Sequence, residues 1–194
     1  MARVLPSVKS YRDWHVPWQW GDVSLREGLA YLATLAARAE EIPLLVRLIE
    51  NPRYRIPGVT LFHGAVDLRQ HDCIHLLLGR GLLSKDEAFV IGFTMGSTGE
   101  VSSVEESVFC KIARHLYPRI YRFDQEDESI FRDAVKLGAI SRCEPLDRAD
   151  FRPLLDVSLD EARRVLGIER ELIEAYYRVE QRRFPEDRTS ARLI

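Results

Sequence analysis

HDCIHLLLGRGLLSKDE, residues 71–87, holds the end of one helix, a glycine break and the start of another. Gly79-Arg80-Gly81 offers the left-handed backbone that closes a helix at its C-terminus and permits a tight reversal. Upstream, VTLFHGAVDLRQHDCIHLLLG reads as one long helix after the Pro57-Gly58 turn. Leu61, Phe62, Val66, Leu68, Ile74 and Leu78 make much of its girth apolar, as on a buried helix. Downstream, Ser84 and Glu87 have capping-box spacing ahead of KDEAFVIGFTMG.

The same grammar extends outward. Ser24/Glu27, Ser103/Glu106 and Ser158/Glu161 repeat the box before LAYLATLAARAEE, VFCKIARHLYP and ARRVLG. Pro43 fits the first turn of a short helix, IPLLVRLIE, ended by Asn51-Pro52. Asp124 or Asp127 caps ESIFRDAVKLG, which ends at Gly138, and ERELIEAYYRVEQRR is a last amphipathic helix stopped by Pro185. Gly96 to Gly99 reads as a loop. No Asn-Gly or Asp-Gly turn separates alternating runs, so strand signals are nearly absent. The expected fold is all-α, a single compact domain of about seven helices. Residues 1–23, with Trp14, Trp18 and Trp20, form an irregular aromatic arm that packs on the body or meets a membrane interface. Residues 24–184 form the helical domain, and 185–194 a loose tail.

Composition bounds the function. The 194 residues carry a formal net charge of −2, which supplies no cationic field for nucleic acid. Three separated cysteines, Cys73, Cys110 and Cys143, form neither a disulfide framework nor a zinc ribbon. No apolar run is long enough for a transmembrane helix, and the N-terminus lacks the apolar centre of a signal peptide. The expected location is cytoplasmic.

On a helix, His71 and His75 lie about 40° apart, with Asp72 about 100° from the first and about 60° from the second. Two imidazoles at i and i+4 with a carboxylate in the same arc suit zinc, iron or manganese. Glu87 joins them if the glycine break folds the chain back, or else serves only as the cap of its own helix. Likewise Asp67, one helical turn from both His63 and His71, either pairs with His71 or fixes its tautomer. His15 and His115 read as structural. TMGSTGE, residues 94–100, lacks a P-loop lysine and reads as a turn. Arg119 and Arg122, with Tyr117 and Tyr121, form a solvated helix end or meet a lipid phosphate or carboxylate.

His71-Asp72-x-x-His75, eleven residues, then Glu87 resembles the signature of the coenzyme Q (ubiquinone) biosynthesis protein 4 family. The similarity extends over roughly residues 60–117, and the absence of a presequence points to a bacterial-type relative. The resemblance implies an all-helical fold and a divalent metal held by His71, Asp72, His75 and Glu87, which would also be the catalytic residues. It further implies a prenyl lipid or prenylated aromatic substrate, and a homodimer or quinone-biosynthesis complex peripheral to the inner membrane. The implied activity is oxidative decarboxylation of a polyprenyl hydroxybenzoate, for which iron or manganese suits better than redox-inert zinc. Two alternatives remain open: a non-catalytic prenyl-lipid-binding scaffold and a metal-dependent hydrolase.

Overall fold

Every residue from Lys85 to Ser97 is buried, so the helix opened by the glycine break runs through the middle of the molecule. The computed structural model describes residues 10–36, 63–64, 66–117, 119 and 122–194. Among these stand eight helices: α1 Leu25–Ala36, α2 Leu68–Leu78, α3 Ser84–Ser97, α4 Ser103–His115, α5 Gln125–Ile140, α6 Leu159–Val165, α7 Arg170–Arg183 and α8 Arg188–Ala191. No strand occurs among them, as the all-α reading expects. The helix expected over IPLLVRLIE, the Asn51-Pro52 and Pro57-Gly58 breaks, and Leu61 and Phe62 lie outside the described residues.

Helix α3 tolerates burial on all sides because its partners are apolar on one side and backbone on another. Phe89 and Phe93 stack at 6.0 Å, and Phe89 also meets Tyr176 and Tyr177 of α7. Toward α5 the helix carries Gly92 and Gly96, where a Cβ would come within 2.5 Å of the Phe131 carbonyl and 2.1 Å of the Val135 carbonyl. Gly138 answers from α5, its missing Cβ 2.4 Å from the Phe93 carbonyl. The two helices therefore meet backbone to backbone. Small residues that let helices approach this closely gain contact over long stretches of main chain.

The described part of the aromatic arm, residues 10–23, packs on the body. Trp14, Val16 and Trp18 are fully buried. The Arg163 guanidinium lies 3.8 Å from the Trp18 ring centroid, and Trp18 Nε1 donates to Glu174 at 3.0 Å. Arg163 also closes the buried end of α2, whose last carbonyls have no helical partner. It donates to the carbonyl of Leu77 at 2.8 Å, Tyr177 Oη donates to that of Leu78, and His15 Nε2 lies 3.0 Å from that of Gly79. A guanidinium beside that helix end also answers the negative pole of its dipole.

Several local expectations shift. The long helix through residues 59–79 is not continuous: Gly64 sits at φ +83° against the backbone of Met95, and α2 begins only after Asp67. Asp67 caps α2 reciprocally with Gln70, so its carboxylate serves the Gln70 N–H at 2.9 Å rather than His71. The Ser24/Glu27 box forms as read. Asp124 is the cap of α5, with Asp127 reaching back to it. The cap expected at Ser103 falls one residue earlier, on Ser102. Ser158 caps α6, but Glu161 turns outward to pair with Arg164. Helix α3 continues through Gly96 to Ser97, because the close contact with α5 needs that turn. The tail is not loose: α8 docks with Thr189, Ser190 and Leu193 buried.

Candidate metal centre

The break at residues 79–81 folds as its glycines suggest. Gly79 takes φ +62° at the C-cap of α2 and Trp18 lies against its Cα. The chain reverses and α3 starts at Ser84. The cap is not Ser84 with Glu87, one register earlier instead: Leu83 is the N-cap residue, and its N–H donates to the Asp86 carboxylate at 3.2 Å. Asp86 takes the capping role, which releases Glu87 to face α2.

Glu87 there meets both histidines. His71 Nε2 stands 3.0 Å from Glu87 Oε2, and His75 Nε2 stands 3.3 Å from Glu87 Oε1. The two Nε2 atoms are 2.8 Å apart, with the rings at 62° to one another. Side-chain exposure is 8% for His71, 0% for His75 and 10% for Glu87. All three ligand atoms lie within 4.8 Å of one another.

Two imidazole nitrogens and a carboxylate directed at one point form a donor set for a divalent cation. Bonds of about 2.0–2.1 Å in a tetrahedral shell put neighbouring ligand atoms roughly 3.3 Å apart. The two Nε2 atoms at 2.8 Å need to open by about half an ångström, and the carboxylate is in reach of both, through Oε2 at 3.0 Å for His71 and Oε1 at 3.3 Å for His75. Held at 2.8 Å, the two Nε2 atoms must otherwise share a proton, since two bare lone pairs repel. An ion replaces that proton, so binding competes with acid. His75 Nδ1 is buried without a partner among the described residues, so the far side of this imidazole is not anchored there.

Burial alone would hold the Glu87 carboxyl protonated, but His75 and His71 beside it outweigh burial and keep its pKa well below the usual carboxylate range. Asp72 behaves differently. Burial raises its carboxyl to about 6 against the opposing pull of His71 and His75. It is half-buried and stands outside the group of three. The expected fourth ligand is therefore not assembled with the others. The reason is angular: α3 approaches the side of α2 that carries His71 and His75, and the next residue points about 60–100° away.

Other candidates fall into ordinary roles. His15 is half-buried, and desolvation with Arg192 nearby lowers its pKa to about 4. His63 leaves α2 altogether and pairs with Glu105 at 3.0 Å and Glu100 at 3.3 Å. The hydroxyls of Thr94, Ser97 and Thr98 bond to the carbonyls of Val90, Thr94 and Met95, so TMGSTGE is a helix end and turn. Arg119 and Arg122 are exposed, Tyr117 is buried, and Tyr121 lies outside the described residues. The three cysteines are free and buried. A cavity of about 390 Å³ opens on roughly the opposite face of α2, where Asp67, Gln70 and Cys73 line it.

The sequence reading passed over the groups that hold the reversal. Arg80, fully buried, forms a two-pronged pair with Glu180 at 3.0 and 2.6 Å and lies 4.0 Å from the Phe89 ring centroid. Lys85 pairs with Glu126 at 2.7 Å and Asp187 at 2.9 Å, and Asp86 with Arg192 at 2.6 Å. The available signal was a run of charge, Lys85-Asp86-Glu87, entering an otherwise apolar helix. Charge there needs partners, but spacing does not say from where.

Scans against family models, curated proteins and solved structures find nothing that matches this chain.

Proposed function

We propose that this protein binds a divalent metal through His71, His75 and Glu87 and acts on a prenylated aromatic acid in quinone biosynthesis. The observation that carries the metal is the meeting of two imidazole Nε2 atoms and a carboxylate in one buried spot. The substrate class rests on the resemblance of His71-Asp72-x-x-His75 and Glu87 to the ubiquinone biosynthesis family motif. The reaction read from it replaces a ring carboxylate by a hydroxyl and releases carbon dioxide, a two-electron oxidation that balances with water supplying the hydroxyl oxygen and dioxygen reduced to hydrogen peroxide.

When bound, the ion would supply Lewis acidity toward a substrate carboxylate or phenolate, and iron or manganese would add redox chemistry. The chain's own part is positional. Glu87 brings one negative charge and the histidines bring two neutral donors, leaving a net positive centre for an anionic substrate. Three protein ligands leave a position open, the arrangement of catalytic sites.

The near-complete burial of the trio also favours a second reading, a scaffold that presents a prenyl lipid without reacting, since structural metal sites are closed. Metal analysis of protein purified without chelator, wild type beside His75→Ala, tests the centre. Near-stoichiometric metal in the wild type and little in the variant is expected; equal and negligible metal in both overturns the reading. Mass spectrometry of lipid retained through purification, followed by incubation with oxygen and the loaded metal, separates catalyst from scaffold. Unchanged lipid would leave the scaffold.

A further inference from the structure

The C-terminal segment reaches back to the first turn of α3, the turn that carries Glu87. Asp187 accepts from Lys85 Nζ at 2.9 Å, and Arg192 Nη2 donates to Asp86 Oδ2 at 2.6 Å. Ser190 Oγ donates to Glu180 at 3.0 Å, the same carboxylate that holds Arg80 in the reversal. Asp187 also caps α8 through the N–H groups of Thr189 and Ser190 at 2.9 and 3.0 Å, which sets the position of Arg192. Asp86 is fully buried, so its charge relies on these contacts rather than on water.

Lys85, Asp86 and Glu87 leave the helix at about 100° intervals. Tying the first two toward the tail sets where the third points. Backbone contact with α5 through Gly92 and Gly96 fixes α3 from its third turn onward, and in the first turn Lys85 is tied to Glu126 of α5 as well as to Asp187, which leaves Asp86 and its bond to Arg192 as the tie nearest Glu87. A side-chain end lies about 6 Å from a helix axis, so a turn of roughly 20° moves it by about 2 Å. Metal–ligand distances tolerate about 0.2 Å.

We propose that Arg192, held by the α8 turn, is a positioning residue for the metal centre: through Asp86 it sets the rotation of the first turn of α3 so that Glu87 faces His71 and His75. The inference rests on the metal reading above. Arg192 is not a ligand; it acts through Asp86 and the helix.

The test measures Zn²⁺ affinity by chelator competition, and the visible spectrum of the Co²⁺-loaded protein, in wild type, Arg192→Met, Arg192→Lys and the surface control Arg164→Met. Arg192→Met is expected to weaken Zn²⁺ binding by about 10–100-fold, the range for residues that support a ligand, and to alter the Co²⁺ bands. Arg192→Lys should recover part of the affinity, and Arg164→Met should match the wild type. A lower melting temperature for Arg192→Met with unchanged affinity and spectrum of the folded protein overturns the proposal. Should Arg192→Met not fold, Asp187→Asn, which loosens the strap without stranding Asp86, must still weaken Zn²⁺ binding. Failure of the wild type to bind Zn²⁺ or Co²⁺ overturns the metal reading itself and removes the strap's purpose with it.

Discussion

At the scale of single residues, the centre turns on two neighbouring carboxylates dividing two tasks. A carboxylate three residues into a helix reaches back to its N-cap, and one at the next position points a quarter-turn away. Asp86 performs the first task and Glu87 is left for the second. Swapping charge for amide at these sites separates ligand from bystander. Glu87→Gln should weaken Zn²⁺ binding by more than the ~10–100-fold typical of a supporting residue. Asp72→Asn should cost less than about tenfold, because Asp72 stands outside the trio. Chelator competition measures both, and equal losses would return Asp72 to the ligand set. The motif was legible as a candidate because i, i+4 spacing is a local property. The choice between Asp86 and Glu87 was not, since Ser84 and Leu83 differ as caps only once the reversal sets the first helical residue.

Where start signals were local, helix starts were readable to within about one residue. Asp124 and Ser24 cap as read, and the aromatic arm packs as the less exotic of its two readings expected. Gly64 and Gly96 misled in opposite directions. Gly64 breaks a pattern whose apolar periodicity runs on, while Gly96 sits inside a helix whose sequence suggests a loop. Each is decided by what lies across from it: the Met95 backbone for one and the Val135 carbonyl for the other. Gly96→Ala is therefore expected to destabilise by about 2–3 kcal/mol, as overpacking does, because a carbonyl cannot move aside as a side chain can. Gly99→Ala, at φ +68° with open space around it, should cost only about 1 kcal/mol from backbone strain. Urea denaturation of both variants checks the ordering; a larger loss at Gly99 would refute the backbone-to-backbone contact.

Across the whole molecule, buried charge links distant parts of the chain. Arg80 with Glu180 joins the reversal to α7, and Lys85 joins α3 to α5 and the tail. Such pairs contribute little net stability against apolar packing, but losing one partner strands the other. They also give stability a pH dependence. Glu87 has a folded pKa below its unfolded value, so its contribution is present above about pH 4.5 and lost as acid protonates it. Asp127 is opposite: burial raises its pKa from 3.8 to about 6, so the folded state binds the extra proton and stability falls as pH rises from about 4 through 6. Asp127→Asn keeps an oxygen for the Asp124 N–H and removes that penalty. Its advantage over wild type should be absent at pH 4 and grow to about 2 kcal/mol by pH 7, read from denaturant midpoints at several pH values. An advantage independent of pH would show that Asp127 is ionised at no cost.

The sequence by itself determined the helical class, several helix starts, the glycine reversal and a set of four candidate ligands, His71, Asp72, His75 and Glu87. Capping, periodicity and i, i+4 spacing act between residues within one or two turns, so they need no knowledge of the rest of the chain. Only the tertiary structure decided which carboxylate turns inward, that Asp72 stays outside, that α3 is buried on every side and that the tail returns to brace it. Those outcomes depend on what packs across a gap of a hundred residues, where desolvation and close contact outweigh local preference.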